Sequence, residues 1–286
     1  MDWRSLSAEE LEFEFNPQHS VPDFTVFQHD RAVANERAQG EMAAEWDIAY
    51  GPSPTRKLDV FAAAASRDGK PSPIHIFFHG GYWRTQDKAN FTFIAKMLVG
   101  LGITTVVANY DLCPAATLDD AVGSALQAIA WTYNNAARFG ADPERLTVSG
   151  NSAGAHLSAM ALAYDWTAIG LPRNVVKGIV AISGIYDPEP AMHISVNAEI
   201  RLTEEIARRN NALLFHPGPV VPVALFAGAV EPDYWRDQTH LYAAHLESYG
   251  FRPTCEIVPE KHHFNIMDHY LDADAAIVRA VRDIAL

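Results

Sequence analysis

The sequence predicts a single α/β domain in which a mostly parallel β-sheet is flanked by helices. From about residue 45 onward, short runs rich in β-branched and apolar residues alternate with longer amphipathic stretches, as strands and helices do in such a sheet. The chain has 286 residues, of which 49% are hydrophobic, so it can bury a large core. No internal repeat, low-complexity tract or Gly/Ser-rich linker divides it. We therefore expect one domain over residues 1–286.

Eight short apolar runs predict the strands of the sheet. Parallel strands are buried on both faces and therefore appear as near-continuous hydrophobic runs bounded by turn residues. The predicted strands cover residues 45–51, 57–63, 73–79, 103–110, 145–150, 175–183, 222–228 and 254–259.

Five amphipathic stretches between and after these runs predict helices. They cover residues 88–100, 117–139, 153–164, 236–249 and 266–285. The second helix has the clearest start, because Thr117 can cap it and Asp119 and Asp120 place carboxylates in its first turn, at the positive end of the helix dipole.

Two stretches lie outside this alternation. Residues 1–44 are predicted to be an N-terminal extension with helical pieces around NPQHSVPDF, and residues 188–218 a partly helical insertion between two late strands. Ligands of open α/β sheets bind at the carboxyl ends of the strands, so we expect the insertion to form a small cap there. For the extension two placements stay open: over the mouth of the pocket, or at the contact of a homodimer.

Charge and composition limit the partners and the compartment. The formal net charge of −13 is spread along the chain, which argues against nucleic acid or an anionic membrane as a partner. The N-terminal stretch lacks the pattern of a signal peptide, and no apolar run is long enough to span a bilayer, so a cytoplasmic protein is expected. Cys113 and Cys255 are far apart in sequence and predict two buried thiols rather than a disulfide or a zinc site.

A serine lies between two glycines in GNSAG, at the point where a predicted strand becomes a predicted helix. A tight turn there would bring Gly150 and Gly154 close to neighbouring backbone, which leaves no room for side chains. The turn would expose the Ser152 hydroxyl above the sheet edge. The backbone N–H of Ala153, at the start of the helix, would then point at an oxyanion formed by serine attack. This is the pattern of a G-x-S-x-G nucleophile elbow.

A second motif, FFHGGYW, ends a strongly apolar strand that precedes Ser152 in the chain. Its paired glycines let backbone N–H groups turn inward, so we expect Gly80, Gly81 and Tyr82 to complete an oxyanion hole with Ala153. The aromatic residues that follow the glycines favour this interpretation over an ordinary Gly-Gly turn, because they could wall a substrate pocket.

A serine nucleophile needs a base and an acid that orients the base. The acid is expected before the histidine in the chain. After the last strand, EKHHFNIMDHY supplies the candidates; we favour His263, with His262 as a solvent-facing neighbour and His269 on the final helix. After the seventh strand, Glu231 and Asp233 are both in place to be the acid, and either could instead be a loop charge or a helix cap.

Metal and nucleotide sites are not supported. His75 and His79 alternate on one strand and several histidines cluster after residue 261, but nothing has the ligand spacing of H-E-x-x-H or C-x-x-C sites. Neither G-x-G-x-x-G nor the P-loop pattern is present. We therefore expect no metal and no organic cofactor.

Together, HGGYW, GNSAG and HHF resemble the α/β-hydrolase superfamily, and within it the branch of kynurenine formamidases (arylformamidases) and related carboxylesterases. Residues 79–83 match the H-G-G-x-W motif of that branch at every specified position. The likeness covers most of the chain, through EFNPQHSVPDF near its start, YGPSPTRKLDVF on the early strands and SGIYDPEP after the sixth strand.

The resemblance implies that Ser152 is the nucleophile, His263 the base, and the N–H groups of Gly81, Tyr82 and Ala153 the oxyanion hole. The family usually has Asp as the acid, whereas alignment of its aromatic-x-x-Gln pattern with YWRDQ gives Glu231 here. Lipase-like relatives place the acid differently and would favour Asp233. We expect Glu231, because its carboxylate can accept the same imidazole hydrogen bond.

The expected function is hydrolysis of carboxylic esters of small acyl groups through an acyl-enzyme on Ser152. The alternative within the same chemistry is an arylformamidase that hydrolyses N-formyl-kynurenine. An alternative of another class is a non-catalytic ligand receptor on the same fold. Four aromatic residues are expected to line the substrate pocket: Tyr82, Trp83, Tyr186 and Trp235.

Overall fold

A computed structural model describes residues 2–64 and 69–286 and contains one eight-stranded sheet in that part of the chain. The eight predicted strands are confirmed, with ends that differ by a few residues. The strands are β1 (Glu45–Ala49), β2 (Lys57–Phe61), β3 (Ser72–Phe78), β4 (Thr104–Ala108), β5 (Ala141–Asn151), β6 (Ile179–Ile182), β7 (Val223–Gly228) and β8 (Thr254–Val258). Their order in the sheet is β1-β2-β4-β3-β5-β6-β7-β8.

All strands from β3 to β8 run parallel, whereas β2 is antiparallel to both β1 and β4. Strand β3 lies between β4 and β5, and its last residue, Phe78, is paired with Gly150 of β5. The loop that follows β3 and the turn that follows β5 therefore leave the sheet side by side. This register brings the HGGYW and GNSAG motifs together, although about 70 residues separate them in the chain.

Helices pack against the sheet and over one edge of it. They are α1 (Ala8–Phe15), α2 (Pro17–Ser20), α3 (His29–Glu41), α4 (Thr92–Gly100), α5 (Leu118–Asn135), α6 (Ala153–Ala163), α7 (Asn197–Ile200), α8 (Glu204–Arg209), α9 (Asp233–Ser248) and α10 (Ala276–Ala285). The start of α5 is as expected, because the Thr117 side chain accepts from the Asp120 backbone N–H and Asp120 bonds back to Thr117. None of the helices in the described residues is long and apolar enough to cross a membrane.

Residues alternate between two hydrophobic cores along the central strands. Ile76 and Phe78 of β3 belong to the core on the side of α5 and α6, whereas Phe77 belongs to the core on the side of α4 and α10. Both faces of the sheet are thus covered, as the hydrophobic runs predict.

The predicted helix over 266–285 is wrong in its first half. A 3-10 helix covers Asn265–Leu271, the chain turns, and the α-helix begins only at Ala276. At the turn Asp272 is extended (φ −127°, ψ 119°), and its carboxylate accepts from the backbone N–H of Asp274. An aspartate that bonds the backbone two residues on favours a turn over a continued helix.

The prediction of two buried thiols holds for Cys113 and is wrong for Cys255. Cys255 lies on β8, the last strand of the sheet, where Thr254, Cys255 and Glu256 are all exposed. An edge strand has a neighbouring strand on one side only, so the burial expected of a central strand does not apply to the residues of β8.

The insertion over 188–218 is partly helical, as expected, and it packs against α1 and α5. It contains α7, α8 and 3-10 helices at Glu189–His193 and Ala212–Leu214. Polar contacts hold it there: Ser195 N donates to Glu12 of α1 at 2.7 Å, and Arg209 Nη2 donates to Asp119 of α5 at 2.8 Å.

Candidate active site

Ser152 has a backbone conformation that few non-glycine residues adopt. It connects β5 to α6 with φ +55° and ψ −116°. Backbone geometry of this kind costs about 1–3 kcal/mol and persists only where the surrounding structure enforces it. Here Ser152 N donates to Ile182 O at 2.8 Å, and the sharp turn follows directly after the strand. The geometry is that of a nucleophile elbow.

The glycines on either side of Ser152 are required by close contacts. A Cβ on Gly150 would lie 2.3 Å from the carbonyl carbon of Gly154, and one on Gly154 would lie 2.0 Å from the carbonyl oxygen of Phe78. No real Cβ tolerates such distances, so the helix can approach β5 and β3 only where both positions lack a side chain. This explains why a serine lies between two glycines at this turn.

His263 and Glu231 form a buried pair on neighbouring loops. His263 Nδ1 donates to Glu231 Oε1 at 2.8 Å, and Glu231 Oε2 accepts from Gly228 N at 2.9 Å. The Glu231 side chain is fully buried and that of His263 is 8% exposed. The loops after β7 and β8 are joined by backbone hydrogen bonds, including Val230 N to Lys261 O at 2.9 Å, so the two side chains are held at a fixed spacing.

Asp233 has no part in this pair. It is the first residue of α9, its side chain is 62% exposed, and it binds Arg236 one turn along the helix. Of the two acids that the sequence leaves open, the structure therefore places Glu231 against the imidazole and Asp233 at a helix terminus.

Ser152 and His263 line the same two cavities. One has a volume of about 560 Å³ and the other of about 60 Å³. Within residues 2–64 and 69–286, no direct hydrogen bond joins the Ser152 hydroxyl to the His263 ring. Contacts of this kind are commonly long in unliganded hydrolases and shorten when substrate binds.

Gly81 and Tyr82 line the smaller cavity together with Ser152, and Ala153 follows the serine directly in the chain. Gly81, Tyr82 and Trp83 have successive positive φ values of 106°, 52° and 54°, so the loop after β3 turns sharply. Within the described residues the N–H groups of Gly81 and Tyr82 have no acceptor, and that of Ala153 is the first of α6, with no carbonyl of that helix before it. Unpaired N–H groups of this kind can bind an oxyanion.

Gly80 is a correction to the expected oxyanion hole. Its N–H already donates to Asn151 Oδ1 at 3.1 Å. Asn151 precedes the serine, so this bond ties the loop after β3 to the elbow. Asn151 thus positions the two parts of the proposed oxyanion hole relative to each other, a role that we did not predict from the sequence.

The expected aromatic pocket is wrong for three of its four members. Trp83 and Tyr186 are fully buried, and neither they nor Trp235 line the cavities at Ser152. Trp235 instead packs edge-on against the His263 ring, with 4.7 Å between ring centroids, and donates from Nε1 to Ser183 O. Tyr82 lines the smaller cavity. Large aromatic side chains are more often buried in a core than exposed in a pocket, because burying them stabilises the fold strongly.

The wall opposite Ser152 comes from the N-terminal segment, residues 16–41, and none of residues 188–218 lines either cavity. The segment contributes these residues to the large cavity: Gln18, Phe24, Gln28, Arg31, Ala32, Asn35, Glu36 and Gln39. It is fixed to the body of the protein by ring contacts, including Phe24 stacked on Phe264 at 4.8 Å. The N-terminal segment therefore lines these cavities, and the insertion, which we expected to form the cap, does not.

His75 and His79, at β3 and directly after it, are buried and make structural contacts. His75 lies between Thr147 Oγ1 (2.8 Å) and Ser149 Oγ (2.6 Å), and burial lowers its pKa to about 3. His79 is stacked between Phe91 and Tyr110.

His262 and His269 differ from the expectations for them. His262 is not solvent-facing: it is 8% exposed, its ring packs against Phe27, and its Nδ1 accepts from the Phe264 backbone. His269 lies on the 3-10 helix before α10 rather than on the final helix.

Comparisons with known proteins agree with this fold. A family model described as an alpha/beta hydrolase fold matches residues 75–267. The kynurenine formamidase of Danio rerio is 30% identical over 97% of this chain and 96% of its own length. The isoprenylcysteine alpha-carbonyl methylesterase of Arabidopsis thaliana is 26% identical over 77% of this chain and 56% of its own length.

Solved structures show the same fold. A protein from Silicibacter sp. has a TM-score of 0.82 and 22% identity, over 95% of this chain and 98% of that one. An esterase from Pyrobaculum calidifontis has a TM-score of 0.72 and 19% identity, over 97% of this chain and 96% of that one.

Proposed function

The chain belongs to the α/β-hydrolase family, and we propose that it is a serine hydrolase that cleaves esters of small acyl groups through an acyl-enzyme on Ser152. The similarity to kynurenine formamidases and to methylesterases supports an enzyme of the esterase or arylformamidase type. The observation that carries the serine mechanism is the elbow geometry of Ser152 on a cavity that it shares with the buried His263–Glu231 pair.

In this mechanism the Ser152 hydroxyl attacks the substrate carbonyl carbon while His263 Nε2 takes the hydroxyl proton. Glu231 holds the other ring nitrogen protonated and stabilises the imidazolium that forms. The N–H groups of Gly81, Tyr82 and Ala153 bind the oxyanion. When the intermediate collapses, His263 gives its proton to the leaving group. Water, activated by His263, then attacks the acyl-enzyme and releases the acid and free Ser152.

The two cavities support a small acyl group. The smaller one, of about 60 Å³, has room for a few water-sized probes and therefore for a formyl, acetyl or similarly short group. The larger one, of about 560 Å³, is of the size that binds drug-sized ligands. We therefore assign the acyl group to the small cavity and the leaving group to the large one.

Cleavage of N-formyl-kynurenine is the second candidate function. It is favoured by the kynurenine formamidase of Danio rerio, whose similarity covers nearly the whole of both chains. Formyl is the smallest acyl group, so the same two cavities and the same mechanism would serve it.

The test is the Ser152→Ala variant assayed with p-nitrophenyl acetate and with N-formyl-kynurenine. We expect kcat/KM to fall by at least about 10⁴-fold with any substrate that the wild type cleaves, because the nucleophile is lost. Undiminished activity would refute the serine mechanism. A fluorophosphonate probe should label the wild type and not the variant; a wild type that stays unlabelled and inactive would instead favour the receptor hypothesis. The relative kcat/KM for short-acyl esters and for N-formyl-kynurenine decides between the two candidate functions.

A further inference from the structure

Among the described residues, the wall of the large cavity contains one arginine, Arg31, and one carboxylate, that of Glu36. Among the described residues that line it, Arg31 of α3 is the only lysine or arginine. The protein as a whole carries a formal charge of −13, so its overall field repels anions and does not explain a cation at this place. The Arg31 side chain is 11% exposed, and burying a guanidinium is unfavourable unless its donors find acceptors.

The hydrogen bonds of Arg31 leave part of the guanidinium free. Nη2 donates to Phe27 O at 3.0 Å, and Nε lies 3.4 Å from Asp268 Oδ1 without a hydrogen bond. Nη1 donates to no group in the part of the chain that the structure describes. A guanidinium has five donors in a planar fork, and the Nη1–Nη2 edge matches a carboxylate with two parallel hydrogen bonds.

We propose that Arg31 binds a carboxylate on the leaving group of the substrate. This inference rests on the proposed function, since the acyl group is assigned to the small cavity, which Arg31 does not line. The substrates are thus esters or formamides whose leaving group has an aromatic or other apolar body and a free carboxylate at its far end. Phe24, Phe91 and Phe93 supply the apolar wall for that body.

The competing explanation is that Arg31 only fastens the N-terminal segment to Asp268. The two roles make different demands on Asp268. If Arg31 only fastens the segment, removing Arg31 and removing Asp268 should have the same effect. If Arg31 binds a substrate carboxylate, only the removal of Arg31 should weaken binding of that carboxylate. Burial raises the pKa of Asp268, which indicates that the aspartate is poorly compensated where it lies.

The experiment compares two substrates of the same size that differ in charge, para-acetoxybenzoate and para-acetoxybenzamide. Longer pairs, in which the chain between ring and carboxylate or amide grows by one methylene at a time, cover the unknown span from Ser152 to Arg31. The measured quantity is the ratio of kcat/KM for the acid to kcat/KM for the amide. The variants are Arg31→Gln, Arg31→Lys and Asp268→Asn, each with its thermal unfolding midpoint.

We expect the wild type to prefer the acid in at least one pair, and Arg31→Gln to lower that ratio by about 10- to 100-fold, mainly through KM, because a charge-assisted hydrogen bond is lost. Arg31→Lys should restore part of the ratio, and Asp268→Asn should keep or increase it. The proposal is overturned if no acid is preferred by the wild type, or if Arg31→Gln and Asp268→Asn change acid and amide alike. Cleavage of the amide by the wild type, and its loss in Ser152→Ala, tests the serine mechanism separately.

Discussion

Glu231 and Asp233 are two residues apart and have opposite surroundings. Glu231 is fully buried against the imidazole of His263, and Asp233 is solvated at the start of α9. A carboxylate that orients a catalytic histidine must be fixed and shielded from water, because it acts by stabilising the imidazolium and selecting the tautomer. Only Glu231 meets this requirement.

The prediction at this scale concerns the amide variants of the two acids. Glu231→Gln should lower kcat by about 10²- to 10⁴-fold, because a neutral amide neither selects the reactive tautomer nor stabilises the imidazolium. Asp233→Asn should stay within about twofold of the wild type, since a solvated helix charge contributes little. Steady-state kinetics with p-nitrophenyl acetate measure both. Equal losses in the two variants would contradict the assignment.

The position of a single residue could be predicted from the sequence where a motif fixes both its sequence neighbours and its place in the fold. Ser152 and His263 were predicted from the GNSAG and HHF patterns as nucleophile and base, and the structure places both of them on one cavity. Gly80 was misassigned because nothing in HGGYW reveals that Asn151 takes its N–H. Trp235 was assigned to the pocket because sequence patterns do not reveal whether an aromatic side chain in the first turn of a helix faces a cavity or the core.

At the scale of elements, the catalytic turn depends on how closely α6 approaches β3 and β5. Gly154 lies against the backbone of Phe78, and this contact sets the distance between the turn at Ser152 and the loop with the proposed oxyanion donors. The tightness of the junction, and not glycine flexibility, is what excludes a side chain, since Gly154 lies in the regular part of α6.

We therefore expect Gly154→Ala to lower the free energy of unfolding by about 3 kcal/mol and to lower activity, because its Cβ overlaps a backbone carbonyl that cannot move alone. Gly123 is the matched control: it lies inside α5 and has open space around its Cβ position. Gly123→Ala should raise the free energy of unfolding by about 0.5–1 kcal/mol. Urea unfolding measures both. If Gly154→Ala were as stable as the wild type, the packing argument would be wrong.

Element types were more predictable than element ends. The alternation of apolar and amphipathic stretches identified all eight strands, since burial on both faces of a parallel sheet leaves a strong composition signal. The final helix was predicted too long because the Asp272 turn is a local hydrogen-bond feature inside an amphipathic stretch. The burial of Cys255 was wrong because sequence composition does not identify which strand lies at an edge.

For the molecule as a whole, the position of the N-terminal segment was the least predictable feature. Its place over the cavity depends on contacts between residues far apart in the chain, such as Phe24 with Phe264 and Arg31 with Asp268. No local pattern contains that information. The consequence is that one wall of the large cavity, with the proposed carboxylate site, comes from the part of the chain outside the regular α/β alternation.

Two buried histidines make the stability of the whole protein sensitive to acid. Burial lowers the pKa of His75 to about 3 and that of His156, whose Nε2 lies 2.7 Å from Asn210 O, to about 4. In the unfolded chain each titrates near a pKa of about 6.5. As the pH falls below that value, the unfolded state binds protons that the folded state does not, so stability is lost.

We expect the free energy of unfolding to fall between about pH 6.5 and 4.5 by up to about 1.4 kcal/mol per pH unit for each of these histidines. His156→Gln can keep a hydrogen bond to Asn210 O and cannot take up a proton. The free energy of unfolding of this variant should therefore fall less steeply with decreasing pH than that of the wild type, by the slope that one histidine contributes. His29→Gln, at an exposed position on α3, serves as the control.

Carboxylates also titrate near the lower end of this range. Asp268 and Asp59, whose pKa values burial raises, change stability with pH in the opposite direction. Because the same carboxylates are present in every variant, the difference between the His156→Gln and wild-type curves isolates the histidine. Parallel curves would show that folding does not lower the pKa of His156, which would contradict the prediction.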